Sequence, residues 1–310
     1  MIDFRRFAQY TFIRVQNKGV LFMRRNLVGV VLCAGLLAGT LVGQAREDYL
    51  DIFVARVKPE KRFDFDRLAA KMADANRKNK GDNYIAYEVV YGEQNTVYFV
   101  SGRANYAGID AGMQAFEGAL FKALGGRGIG QLFSDFNQTV ISTRGEIRRR
   151  RLDLSANVPG DAAGAAKMLG DARYLRTFIV RVRPGRAGDY EAQLKTNKEA
   201  NERNNPGTPI LISQSAAGQQ GTAFYITTLA KNMADFDRAK PLSEVLGTQG
   251  YARYMKTVSD VVMGTESFIG KILPALSNPA EEVAAADPKF WNPKPPPPPP
   301  PAKKAEAPKK

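Results

Sequence analysis

The sequence predicts an α+β chain of two tandem ferredoxin-like (split βαβ) repeats with a Pro/Lys-rich tail. Three observations predict it. One strand is written twice: residues 49–59 read YLDIFVARVKP and residues 174–184 read YLRTFIVRVRP, at an offset of 125. The same order of strand-like and helix-like patterns follows each copy. The offset then drifts to 126, 127 and 122 only across loops, where insertions are tolerated.

Residues 1–45 read as an export signal. Arg24 and Arg25 precede an apolar run from Leu27 to Val42, and Gly43 and Ala45 give a small-x-small site, so cleavage is expected after Ala45. Met23 is an alternative start. The apolar run is shorter than the roughly 20 residues of a spanning helix. The expected location is therefore extracytoplasmic, periplasmic or secreted, with an uncleaved membrane anchor as the alternative.

The first repeat spans 46–155. In its opening strand Phe53, Ala55 and Val57 alternate with Val54, Arg56 and Lys58. Pro59 stops it. A helix is expected over 64–80, with Phe65, Leu68, Ala69 and Met72 on one stripe. Strands at 83–92 and 95–104 flank a tight turn. Asp110 is expected to open a helix carrying Met113, Phe116, Leu120 and Leu124, ended by Gly125 and Gly126. A further helical run with Leu132, Phe133, Phe136 and Val140 leads into a last strand over 142–155.

An Ala/Gly-rich connector, 156–173, leads to the second repeat, 174–277. It has a helix from Asp189 to about Asn205, hairpin strands at 210–215 and 222–228, two helical runs, and a last strand, TESFIGKILPALS, matching TRGEIRRRRLDLS. On this repeated strand and element order, residues 47–277 resemble the dimeric α/β-barrel superfamily, fused in one chain, including antibiotic-biosynthesis monooxygenase and stress-responsive barrel domains. The resemblance implies two sheets facing each other with helices outside, and an internal pseudo-dimer within a monomer. Some members bind haem or oxidise aromatic substrates between helices and sheet. Haem-degrading members use a histidine ligand, and this chain has no histidine.

Residues 278–310 are expected to be a disordered tail. It contains seven consecutive prolines, 295–301, followed by lysines. Phe290 and Trp291, just before the prolines, are expected to cover the edge of a core. The tail suggests an anionic envelope polymer or lipid as partner. The charge of +14 is concentrated at the two ends, leaving the body only mildly basic, so no nucleic-acid partner is expected.

Absences narrow the chemistry. With no histidine, and Cys33 as the single cysteine, His triads, His metal ligands and disulfides are excluded from the mature chain. No metal, cofactor or catalytic residue is assigned. GGRGIG at 125–130 fails as a dinucleotide loop because it follows a helix and has Gln131 at the final glycine position.

Candidate binding residues come from differences between the repeats. The first helix carries Phe65, Ala69, Met72 and Asn76 in one repeat and Tyr190, Leu194, Asn197 and Asn201 in the other. Either the second set of amides turns to solvent or it lines a wet cleft with Tyr190, Asn197, Asn201 and Tyr225. Arg56 and Arg181 either bind an anion between the sheets or pair with carboxylates on neighbouring strands. Arg148 and Arg150, in the four-arginine run, either guard a sheet edge or bind an anion. The expected function is an exported, non-enzymatic small-molecule-binding or envelope-associated protein. The alternatives are a cofactor-independent monooxygenase-like enzyme and a structural or interaction module.

Overall fold

Eight antiparallel strands close on themselves. The computed structural model describes residues 49–292. The strands are β1 (Tyr49–Val57), β2 (Ile85–Tyr91), β3 (Thr96–Arg103), β4 (Val140–Arg150), β5 (Tyr174–Val182), β6 (Ile210–Ala217), β7 (Thr222–Ala230) and β8 (Val262–Ile272). Their order around the barrel is β1-β3-β2-β8-β5-β7-β6-β4, and β4 returns to pair with β1. Each half contributes four strands, and the halves are sewn together by β2–β8 and β4–β6. The arginine-rich β4 is therefore paired on both sides, and a guard against edge association is not needed.

Strand alternation separates the inside of the barrel from the outside. Ile52 and Val54 of β1 belong to the inner cluster, while Ala55 and Val57 join the outer cluster, with Phe53 packed against it. The outside of the first half is covered by α1 (Arg62–Lys78) and α2 (Tyr106–Thr139). Phe65, Leu68 and Met72 of α1 and Leu120, Leu132 and Phe136 of α2 fill the space above the sheet. The rings of Phe65 and Phe136 lie 5.2 Å apart.

α2 starts earlier than Asp110: Asn105 caps it, its side chain accepting from the Gly108 N–H at 2.9 Å. The expected break at Gly125 is present as a kink, with φ 67° and ψ 169°. Glycine is the residue that takes this conformation at low cost. Met113 and Phe133, on the expected helical runs, are 45% and 37% exposed.

The connector contains a helix, α3 (Ala162–Asp171). The second half continues with α4 (Ala187–Asn204) and α5 (Leu242–Val261). Residues beyond 277, expected to lie in a disordered tail, form α6 (Glu281–Ala286) and α7 (Pro288–Trp291). Val283 and Trp291 join the inner cluster with Leu175 and Ile272, so α3, α6 and α7 close one mouth of the barrel. Trp291 is fully buried, and its indole N–H donates to the Gly170 carbonyl at 2.9 Å. A Cβ at Gly170 would stand 2.4 Å from the Val283 carbonyl oxygen, so this approach of α3 to α6 requires glycine.

The expected signal segment, Cys33 and the polyproline run lie outside the described residues. Among the described residues, no helix is long and apolar enough to cross a membrane.

If α7 plugs the mouth, Trp291→Ala should cost about 3–5 kcal/mol, the usual range for removing a buried large aromatic. Urea unfolding checks this, and a loss below about 1 kcal/mol would show that Trp291 is peripheral.

Candidate functional site

The two halves differ in how well helices cover the sheet. Gly247 breaks α5 at φ 68° and ψ 169°, the same conformation as Gly125 in α2. Measured back from these kinks, the first arm of α2 covers residues 106–124, whereas that of α5 covers only 242–246. The long arm lays Phe116, Leu120 and Leu124 over the first half, where Phe116 meets Tyr84 and Tyr84 meets Phe99. In the second half the corresponding chain is a loop with a 3-10 turn at Met233–Asp235.

The outer apolar cluster there is built from α4, the strands and Leu154; among the described residues, no α5 side chain joins it. Val245 and Val261 are the buried residues of α5. Phe178, the counterpart of Phe53, is 40% exposed. Helices thus cover the sheet more fully in the first half than in the second, where Phe178 stays exposed.

Arg176 and Thr228 stand opposite each other in the β5–β7 register, on the same side of the sheet as Phe178 and Val180. The Arg176 guanidinium carbon lies 5.4 Å from the Phe178 ring centre and 5.1 Å from that of Phe236. Phe236 directly follows the 3-10 turn. These residues escaped sequence analysis. A signal existed, because Asp51 becomes Arg176 at the offset of the repeated strand.

The residues singled out from sequence do not form one site. Tyr190 is fully buried against Phe224, and burial raises its phenol above the ordinary value, with the Tyr254 phenol adding to the effect. Asn201 donates to the Asn197 carbonyl at 2.8 Å, and Asn197 accepts from Gln193 at 2.9 Å. Asn76, one repeat earlier, makes the equivalent bond to Met72 at 2.9 Å. These amides are therefore satisfied along their own helices. Tyr225 lies on the opposite face of the sheet, inside the barrel, 3.5 Å beneath the Arg148 guanidinium.

Every neighbouring strand pair is antiparallel, so β1 and β5 run the same way and end at one mouth. There Arg56 pairs with Glu93 at 3.2 Å and Arg181 with Glu266 on neighbouring β8 at 3.1 Å.

Arg148 belongs to the barrel's polar centre. It donates to Glu146 at 2.6 Å, and the same carboxylate accepts from Arg144 at 2.8 Å and Gln219 at 2.7 Å. Arg150 is likewise engaged within the protein. Tyr87, Tyr98 and Phe268 stack alongside, with 4.8 Å between the first two rings and 5.7 Å between the last two. Burial alone would raise the Glu146 carboxyl, but Arg148 and Arg144 outweigh it and hold the group below its usual value.

No protein-family model matches the chain, and no curated protein matches it. Solved structures share its fold. A candidate monooxygenase from Lactobacillus acidophilus NCFM aligns at TM-score 0.46 and 12% identity, over 73% of this chain and 94% of that one. An anthrone oxidase-like protein aligns at 0.47 and 11%, over 74% and 92%. Chlorite dismutase from Candidatus Nitrospira defluvii, in complex with imidazole, aligns at 0.43 and 10%, over 79% and 97%. These neighbours are of dimeric α+β-barrel type, monooxygenase-like and chlorite dismutase-like, and at such identities the likeness is one of fold. The expectation of a non-enzymatic binding or envelope-associated protein is corrected here, since the neighbours are described as enzymes.

Glu146→Gln should cost about 3–5 kcal/mol, because it leaves a buried guanidinium without its counter-charge. A carboxyl held low in the folded state stabilises it above the unfolded pKa, and that contribution is lost as pH falls through the folded value. Urea midpoints measured from about pH 5 down to about pH 2 should fall more steeply for the wild type than for the variant. Parallel curves would show that Glu146 does not carry the acid sensitivity.

Proposed function

We propose that the chain is a duplicated ferredoxin-like unit fused as a dimeric α/β-barrel, acting as a cofactor-independent, monooxygenase-like enzyme on a small aromatic substrate. The observation that carries this reading is the thinner helix cover over the second half, which leaves Phe178 exposed. The first half fills the equivalent space with Phe65, Leu120 and Phe136. The second leaves Phe178 40% exposed beneath a shortened helix arm. A partly apolar recess with a few polar groups is the usual form of a small-molecule site.

The residue inventory supports a reaction in which the substrate supplies its own electrons. A histidine-ligated haem does not fit a chain without histidine. An activated methylene flanked by aromatic rings can react with one molecule of dioxygen to give a ketone and one molecule of water. Both C–H bonds of the methylene are lost, one oxygen atom enters the new carbonyl, and the other leaves as water with the two hydrogens. The methylene carbon is oxidised and dioxygen is reduced, so no outside reductant is needed. The protein's part is to hold the ring against the exposed Phe178 and to limit water around the reacting carbon.

The test is oxygen uptake with anthrone as substrate, in the presence of a metal chelator. Consumption of one dioxygen per quinone formed, unaffected by the chelator, is expected. A rate equal to the buffer blank would overturn the reading.

A further inference from the structure

We propose that Arg176 and Thr228 form a carboxylate-binding end of this open space, so that its occupant is an aromatic monocarboxylate. The inference rests on the reading of the space as a substrate site. It stands on a separate observation: Arg176 Nε and Thr228 Oγ1 are both shielded from solvent, and neither has a hydrogen-bond partner among the described residues. A shielded polar group without a partner destabilises the fold. Two such groups facing each other across one strand pair require an explanation.

The first half shows what a closed version looks like. Asp51 and Ser101 occupy the equivalent register positions on β1 and β3. There Arg103 bridges Asp51 at 3.1 Å and Asp82 at 2.6 Å, and Ser101 donates to Asp82 at 3.2 Å. The second half lacks the parts needed to close. Arg103 lies opposite Tyr49, whereas Ala230 lies opposite Tyr174. Asp82 lies in the segment between α1 and β2, whereas the segment between α4 and β6, Asn205-Pro206-Gly207-Thr208-Pro209, has no carboxylate. Arg replaces Asp at the remaining position, and among the described residues no carboxylate accepts from its Nε. The missing component is an acceptor with negative charge.

The chemistry of the gap selects the class of ligand. One guanidinium supplies a single positive charge, and with the Thr228 hydroxyl it offers donors to the two oxygens of a carboxylate. Phe178 and Phe236 flank the guanidinium and present ring surface beside it. A planar ring bearing one carboxylate meets both demands, and a neutral analogue meets only the second.

The experiment is titration of the full chain with 1-naphthoate and with its neutral isostere 1-naphthamide, followed by calorimetry. Naphthoate should bind at least tenfold more tightly. Arg176→Met should reduce naphthoate affinity to that of naphthamide, leave naphthamide unchanged, and raise Tm, because a shielded N–H without an acceptor has been removed. Thr228→Val, nearly equal in volume, should weaken naphthoate severalfold. Equal affinities for the two probes, or naphthoate binding insensitive to both substitutions, would overturn the carboxylate site and leave the open-space reading intact. Binding of neither probe would overturn both. A lowered Tm in Arg176→Met would reveal a structural partner and also count against the proposal.

Discussion

Closure of the sheet is the constraint on which the rest depends. A four-stranded ferredoxin-like sheet with helices on one face has two open edges and one uncovered face. Here the edges, β2 and β4, pair with β8 and β6 of the other half. The uncovered faces then meet inside the barrel. Pairing and burial are one event, so neither half has a complete core alone: Ile52 and Val54 of the first half share a cluster with Leu175, Phe268 and Ile272 of the second. The last helix, α7, completes the same cluster through Trp291.

The interior created in this way is not uniformly apolar. Glu146 and Arg148 sit in it fully paired, with Tyr225 beneath the guanidinium. Such a pair does not by itself add much stability, because desolvation offsets the attraction. Its geometric consequence is clearer. The stacked rings of Tyr87, Tyr98 and Phe268, together with this pair, occupy the middle of the barrel. Room for a ligand must then be sought on the outer, helical side, where coverage is uneven.

Much of the fold was legible because it is written twice. The alternation of Phe53, Ala55 and Val57, repeated as Phe178, Val180 and Val182, fixed strand position and face together. The Gly125 break was legible because glycine before another glycine ends helical periodicity. The plugging helices were not. Alanine-rich α3 lies within an Ala/Gly-rich stretch that reads as a connector, α6 is only six residues long, and Trp291 lies beside a proline run that dominates the local composition. Of the candidate side chains, Asn197 and Asn201 looked like cleft amides because one sequence does not show that a buried amide can satisfy itself on the preceding turn, as Asn201 does. Glu146 was hidden among the arginines around it, although a lone carboxylate on the inward face of a cationic strand is where a counter-charge would stand.

The deeper lesson concerns where two copies of one fold can diverge. The inner faces are shared, so a change there must be matched across both halves. The outer faces are covered separately, each by its own helices, and can change alone. The shortening of the α5 arm and the exchange of Asp51 for Arg176 both fall on the outer face of the second half. Neither disturbs the register of β5 with β7 or β8, which runs from Tyr174 to Val182 much as β1 runs from Tyr49 to Val57. One half can therefore hold the barrel together with a filled helix–sheet layer while the other leaves its layer open. The Nε–H of Arg176, shielded and without an acceptor among the described residues, marks the position at which the two roles separate.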